Sequence, residues 1–508
     1  MIENFGLENW LDYIPTPIYN EHPEFNNLYY KTWELAFNHI KYIDGMPQNP
    51  YMDEAFCDSQ IWIWDTCFMS LFCKYAYSVF PGVESLNNFY NVLYGGKKLP
   101  QIIPTDREPS WTGAKAGVPY EIKVHIADNP PLFAWAEYQN ALIKGNKEYL
   151  KELLYNKKFL QKHYNWFENL SGNYTPKGVH VSTCLIATEK GYKWEGGRSG
   201  MDNTPRGRKG KNAIENRPND PELLWIDAIC QQALSAKMIA EIFDILEDSE
   251  NSKIWHEKHS QKSKLINDLY WDEVDGFYYD IDFKNNNFNK VMTIASFWAL
   301  TSFTAPFEHA QKLANLICDN NTFGGKVPLV SLARNDSDFS KNGKYWRGAV
   351  WLPTAYAALV GLKNYGFYDL AHETGYKLLN HIYKTYTEFS PHTIWECYSP
   401  TEYKPATNAN DNGFVRPDFC GWSALGPISV YIEFVLGFHT INAFNNIVEW
   451  AKPDVKGKIG IKNLRFGETV TDIIVNENKC TVYSNKSYTL IINGKSFDVK
   501  TGENIIII

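Results

Sequence analysis

The stretch DPELLWIDAICQQALSAKMIAEIFDILEDSENSKIWHEKHSQKSKLINDLYW, residues 220–271, decides the fold. Ile226, Ile229, Ala233, Ala236, Ala240 and Phe243 step by three or four, the spacing of one helical face, while Asp227, Gln231, Gln232 and Glu241 fall on other faces. Asn219 and Asp220 before Pro221 are helix-start signals, so a helix is predicted over 220–246. A second follows over 250–271, with only 247–249 between them. So short a connection makes the two helices antiparallel neighbours.

The same hairpin recurs along the chain. Apolar periodicity predicts helices near 25–43, 61–78, 84–95, 131–143, 147–169, 289–302, 306–318, 348–363, 366–387 and 419–440. Connections after the even-numbered helices are short (79–83, 144–146, 247–249, 303–305, 364–365), and those after the odd-numbered ones are long (44–60, 96–130, 170–219, 272–288, 319–347, 388–418). If consecutive helices alternate in direction, every long loop emerges at one end of the array, where long loops carry function. The expected fold is mainly α, an (α/α)6 toroid of six helical hairpins. From Lys452 the pattern changes to short alternating runs, GKIGIKNLRF, ETVTDIIVN, KCTVYSN and YTLIING, separated by Gly, Asn and Asp. The expected division is a toroid over 1–445 and a small β-strand domain over 446–508.

The formal charge of −8 is not collected into blocks, which excludes nucleic acid and an anionic membrane as partners. Arg206, Arg208, Lys209 and Lys211 are read as one local basic loop. Nine cysteines without metal-type spacing fit a reducing compartment, with Cys57, Cys67 and Cys73 as packed thiols. MIENFGLENW has neither a basic nor an apolar signal region, so a cytoplasmic protein is expected.

Two carboxylates stand out in the long loops. Asp202 lies in KWEGGRSGMDNTPR, residues 193–206, among three glycines that bend the backbone, and Glu396 lies in TIWECYSP, residues 393–400. Glycosidic bonds are cleaved by such a pair, one carboxyl protonating the leaving oxygen and the other acting on water or on the anomeric carbon. Four further stretches supply the aromatic planes and polar groups that a sugar requires: Trp62, Trp64 and Asp65 in IWIWDT, Arg107 in IPTDREP, Trp346, Arg347 and Trp351 in KYWRGAVWLP, and Trp422 in FCGWSALGP. Asp280, Asp282 and Asn285 lack the glycine and glutamate of a calcium loop, and GGK at 324–326 lacks the rest of a phosphate loop. No metal and no cofactor are expected.

Over residues 25–440 these motifs resemble the inverting α-glycosidases of glycoside hydrolase family 63 and their trehalase and mannosylglycerate hydrolase relatives. SGMDNTPR is similar to the general-acid motif, which implies that role for Asp202. WECYSP is similar to the segment bearing the general base, here Glu396, and WRGAVWLPTAYAALVGL to the tryptophan-rich helix start. The resemblance further implies that Trp64, Asp65, Arg107 and Glu195 hold the first sugar. It implies an inverting, exo-acting hydrolase of a terminal α-glucosyl or related α-glycosyl residue, with carboxyls roughly 6.5–9.5 Å apart. The trehalase signatures are only partly present, which argues against trehalose specificity, and the large N-terminal β-domain of the processing glucosidases is lacking, which points to a small saccharide or glycoside over a glycoprotein glycan. Two alternatives stand beside this reading. One is a sugar isomerase or epimerase on a similar toroid, using His125 and His392. The other is a carbohydrate-binding protein without catalysis.

Overall fold

The computed structural model describes residues 9–43, 46–54, 60–94, 102–104, 129–169, 185–194, 196–207, 220–410 and 413–508. Twelve helical segments build the array among these residues. They are α1 (Phe25–Asn38), α2 (Ile63–Cys73, extended by a turn at Lys74–Ala76), α3 (Asn87–Tyr94) and α4 (Phe133–Lys144). Next come α5 (Lys147–Lys151, a π turn at Glu152–Lys157, then Phe159–Glu168), α6 (Ile226–Ile245), α7 (Ser249–Leu269) and α8 (Ile294–Phe297 leading into Trp298–Thr301). The last are α9 (Phe307–Cys318), α10 (Leu352–Asn364), α11 (Tyr368–Glu388) and α12 (Ser423–Leu425 leading into the π-helical Gly426–Val435).

The even-numbered helices form an inner ring. Packing runs from α2 to α4, α6, α8, α10 and α12, and α12 returns to α2, closing the ring. Outside it, α7 packs on α6, α11 on α10 and α12, and α1 on α12. Burial follows position: every residue of α2 is buried, whereas α7 buries only Ser252, Trp255, Lys262 and Ile266. This is the (α/α)6 toroid.

The deciding hairpin differs from its sequence reading at the start of its first helix. Helix α6 begins at Ile226, because Pro221 to Trp225 form a turn and the short strand Leu223–Leu224. The start is fixed from a distance, as Asp280 Oδ1 accepts the Ile226 N–H at 2.9 Å. Asp227, Gln231 and Gln232, on the other faces of α6, are all buried as well, because an inner-ring helix is covered on every side. Gln232 Nε2, for instance, donates to the Tyr164 carbonyl at 3.0 Å and to Glu168 at 2.7 Å.

The two ends of the ring are covered differently. A five-stranded sheet and a four-stranded sheet near the C-terminus lean on the end with short connections: the Ala443 N–H donates to the Leu142 carbonyl, the Gly467 N–H to Ile143, and Tyr77 Oη to Gly467. At the other end the long loops carry a sheet of their own, ordered Phe288–Asn289, Asp280–Asp282, Leu223–Leu224, Gly191–Lys193, Ile186–Thr188. Among the described residues no helix is long and apolar enough to cross a membrane.

Candidate active site

Because the inner helices run parallel, their first turns converge at the long-loop end. Trp64 and Asp65 open α2, Trp351 immediately precedes α10, and Trp422 immediately precedes α12. With Trp346 these tryptophans close into a ring. Trp346 and Trp351 stack at 4.2 Å with their planes 4° apart, Trp351 meets Trp422 at 5.7 Å, Trp422 meets Trp64 at 5.8 Å, and Trp64 returns to Trp346 at 6.3 Å. Trp346 and Trp351 are each 1% exposed, against 6% for Trp64 and Trp422. The first two back the wall and the second two keep more of their surface open.

Asp202 is brought to this wall by a turn that only glycine allows. A four-residue helical turn, Gly196–Ser199, ends at Gly200, whose φ is +82° and whose place for a Cβ lies 2.5 Å from the Trp64 ring. Any larger residue would displace Trp64 or the turn. Beyond Asp202, which is half-buried, Arg206 fastens the loop. Its guanidinium donates to Asp227 at 2.8 Å through both Nη atoms and to Asp280 at 2.7 and 2.6 Å through Nε and Nη2, and it lies 4.0 Å over the Trp225 ring. Arg206 is thus a buried clamp rather than part of a basic surface loop. The same contacts commit Asp280, which the calcium pattern had brought forward, to the clamp and to the α6 start.

Glu396 is 4% exposed and held at both ends. Its N–H donates to the Arg416 carbonyl at 3.0 Å, and its own carbonyl accepts Trp422 Nε1 at 2.9 Å and Ser423 Oγ at 3.1 Å. Tyr345 Oη donates to carboxylate Oε1 at 2.7 Å, while Oε2 has the Arg416 N–H at 3.4 Å. Tyr345 also packs edge-on against Trp351, at 4.6 Å.

The charges meet at Asp65. It is 2% exposed, and its Oδ1 has no hydrogen-bond partner among the described residues. Burial first, then the charges of Glu396 and Asp202, push its carboxyl well above the ordinary range, with its backbone hydrogen bond and Arg416 opposing. Burial also raises Glu396, opposed by the Tyr345 hydroxyl and the Arg416 charge. Asp202 and Glu396 both act on Tyr345 as well. Three acids therefore share one tryptophan-walled site. Both Asp65 and Glu396 are thereby pushed toward the protonated form, with Asp202 close enough for its charge to act on Asp65.

Arg347 points its head elsewhere, to Asp338 at 3.3 Å and to the Asn203 carbonyl at 3.3 Å. Arg107 and Glu195, together with His125 and Cys57, lie outside the described residues. His392 is exposed and, among the described residues, hydrogen-bonds only the Tyr386 carbonyl, which removes it from the site and takes support from the isomerase alternative. Cys67 and Cys73 are buried thiols. Among the described residues no group of three His, Cys, Asp or Glu is arranged to hold a metal ion.

The sequence reading missed Tyr345, Asn203 and Arg416. The first two adjoin the quoted Trp346 and Asp202, and adjacency was their only signal.

Comparison with known proteins agrees with this fold. The family model described as mannosylglycerate hydrolase MGH1-like glycoside hydrolase domain matches residues 59–412. An uncharacterized protein of Borreliella burgdorferi is 28% identical over 370 residues, 72% of this chain and 71% of that one. The mannosyl-oligosaccharide glucosidase of Saccharomyces cerevisiae is 24% identical over 297 residues, 52% of this chain but only 33% of the yeast protein. Among solved structures, the glycoside hydrolase family 63 mannosylglycerate hydrolase from Thermus thermophilus in complex with glucose superposes with a TM-score of 0.57 at 18% identity, covering 79% of this chain and 99% of that one.

Proposed function

We propose that this chain, which belongs to the mannosylglycerate hydrolase MGH1-like glycoside hydrolase family, is an inverting, exo-acting α-glycosidase that removes a terminal α-glucosyl or related α-glycosyl residue from a small saccharide or glycoside. That it is a glycoside hydrolase follows from the family; the residues and the substrate are our reading. The supporting observation is that Asp202 and Glu396, carried by separate loops, both act by charge on Asp65 and on Tyr345 at the mouth of the toroid.

Asp202 gives its proton to the glycosidic oxygen as the bond to the anomeric carbon breaks. Glu396 takes a proton from a water attacking that carbon on the opposite face, and the sugar leaves with inverted configuration. Asp202 ends as carboxylate and Glu396 as carboxylic acid, and exchange with solvent restores both. Trp64 and Asp65, with Arg107 and Glu195, hold the terminal sugar; Trp422 adds an aromatic face, Trp346 and Trp351 back the wall, and Arg347 steadies the acid turn.

Proton NMR of the anomeric signals, with a panel of α-linked glucosides, mannosides and glycosylglycerates, tests the reading. Release of the β-anomer is expected. Asp202→Asn and Glu396→Gln are each expected to lose at least about a hundredfold in turnover. Release of the α-anomer, or full activity in either variant, overturns the roles; a sugar that binds and is never hydrolysed favours a binding protein.

A further inference from the structure

The acid turn and the base are joined by hydrogen bonds that the catalytic pair itself does not explain. Gly343, Lys344 and Tyr345 have φ of +90°, +40° and +64° in succession. The left-handed region is unfavourable for the two non-glycine residues, so the surroundings must hold them there. Asn203, next in chain to Asp202 and 7% exposed, supplies part of that hold. Its Oδ1 accepts the Trp346 N–H at 2.8 Å and its Nδ2 donates to the Lys344 carbonyl at 3.0 Å, so one amide brackets Tyr345 from both sides. Thr407 completes the hold: its carbonyl accepts the Tyr345 N–H at 2.9 Å and its hydroxyl the Lys344 N–H at 3.2 Å. The result is a phenol aimed at Glu396 Oε1 at 2.7 Å.

We infer that Tyr345 is the positioning residue of the general base and that Asn203 sets Tyr345, so the turn bearing the acid also orients the base. The inference rests on the roles proposed above for Asp202 and Glu396. By occupying Oε1, the phenol leaves Oε2 as the oxygen that receives the proton of water. Tyr345 stays a donor throughout, since burial and the charges of Glu396 and Asp202 keep its hydroxyl protonated. The groups facing Glu396 are Tyr345, the Arg416 charge and N–H, Asp65 and the thiol of Cys397, with Asp202 acting through the same cluster. Of these, Tyr345 and Arg416 favour the carboxylate. Deleting the phenol oxygen therefore raises the pH at which the base becomes active.

The test is the pH profile of kcat/KM for the glycoside that the panel identifies, measured on the full chain. Tyr345→Phe is expected to move the acidic limb up by about one pH unit and to lower kcat about tenfold or more. Asn203→Ala is expected to shift the limb in the same direction. The double variant should move it no further than Tyr345→Phe alone, because both losses act through one hydrogen bond. If Asn203→Ala does not fold, Asn203→Asp, which keeps the acceptor for Trp346 and loses the donor to Lys344, takes its place in the cycle. An unchanged acidic limb in Tyr345→Phe, with Glu396→Gln inactive, overturns the positioning role and leaves the base intact. Additive shifts in the double variant overturn the link through Asn203. Wild-type activity in Glu396→Gln removes the base, and the inference with it.

Discussion

At Glu137 on α4 a carboxylate is buried away from the site, with phenol donors from Tyr90 at 2.6 Å and Tyr149 at 2.9 Å. Those two bonds stabilise its charge, but burial outweighs them and pushes the carboxyl up from 4.5 to about 7. The folded protein thus holds a proton here that the unfolded chain has released, and stability falls as pH rises from 4.5 through about 7. At pH 8 the cost is on the order of 3 kcal/mol. Glu137→Gln is expected to melt increasingly above the wild type as pH rises from 5 to 8; thermal melts whose difference stays constant across that window would contradict the burial argument. The same competition governs the candidate site, and explains what could be read there from sequence. Asp202 and Glu396 could be picked out because a carboxylate among glycines and tryptophans in a long loop is chemically unusual. Tyr345 could not, since its importance lies in a bond to Glu396 that no local spacing encodes.

The acid turn is an element built to be rigid. It is fixed by Gly200 against Trp64 at one end and by Arg206 between Asp227 and Asp280 at the other. Replacing Arg206 with leucine leaves two buried carboxylates without their counter-charge, and breaking a buried ion pair in this way costs about 3–5 kcal/mol. Arg206→Leu is therefore expected to lower the melting temperature markedly, and Asp227→Asn in the same chain to recover part of the loss; a melt within a degree of wild type would mean that the clamp contributes little. Helices were legible to different degrees for the same reason of reach. The apolar stripe from Ile226 to Phe243 identified α6 because helix periodicity is local. Its first residue was misjudged by six positions, because the Asp280 that caps Ile226 lies on a strand far downstream. The loop sheet escaped notice too, its strands being only two or three residues long and paired across the chain.

Closure is the property of the whole molecule. The ring closes where α12 meets α2, and a second closure joins the two ends of the chain: Thr16–Tyr19 pairs antiparallel with Ile459–Phe466, in register Thr16 to Lys462 and Tyr19 to Ile459. That strand is the outer edge of the five-stranded sheet, and just before it Pro15 accepts the buried Tyr29 hydroxyl at 2.6 Å. Alternation in the C-terminal half made strands legible there, but nothing in the sequence said that the sheet borrows its edge from the other end of the chain. Without it, Ile459–Phe466 would present an open ladder beside buried Ile459, Ile461 and Leu464, the condition under which edges pair with other chains. A chain starting at Phe25 is accordingly expected to melt lower and to associate. Its active-site residues would be untouched, because the sheet covers the short-connection end of the toroid and the acids lie at the other. Light scattering after size exclusion, together with hydrolysis by whatever monomer remains, checks both halves. A monodisperse monomer with an unchanged melt would show that the edge is dispensable, and loss of turnover in a folded monomer would show that closure at the far end reaches the site.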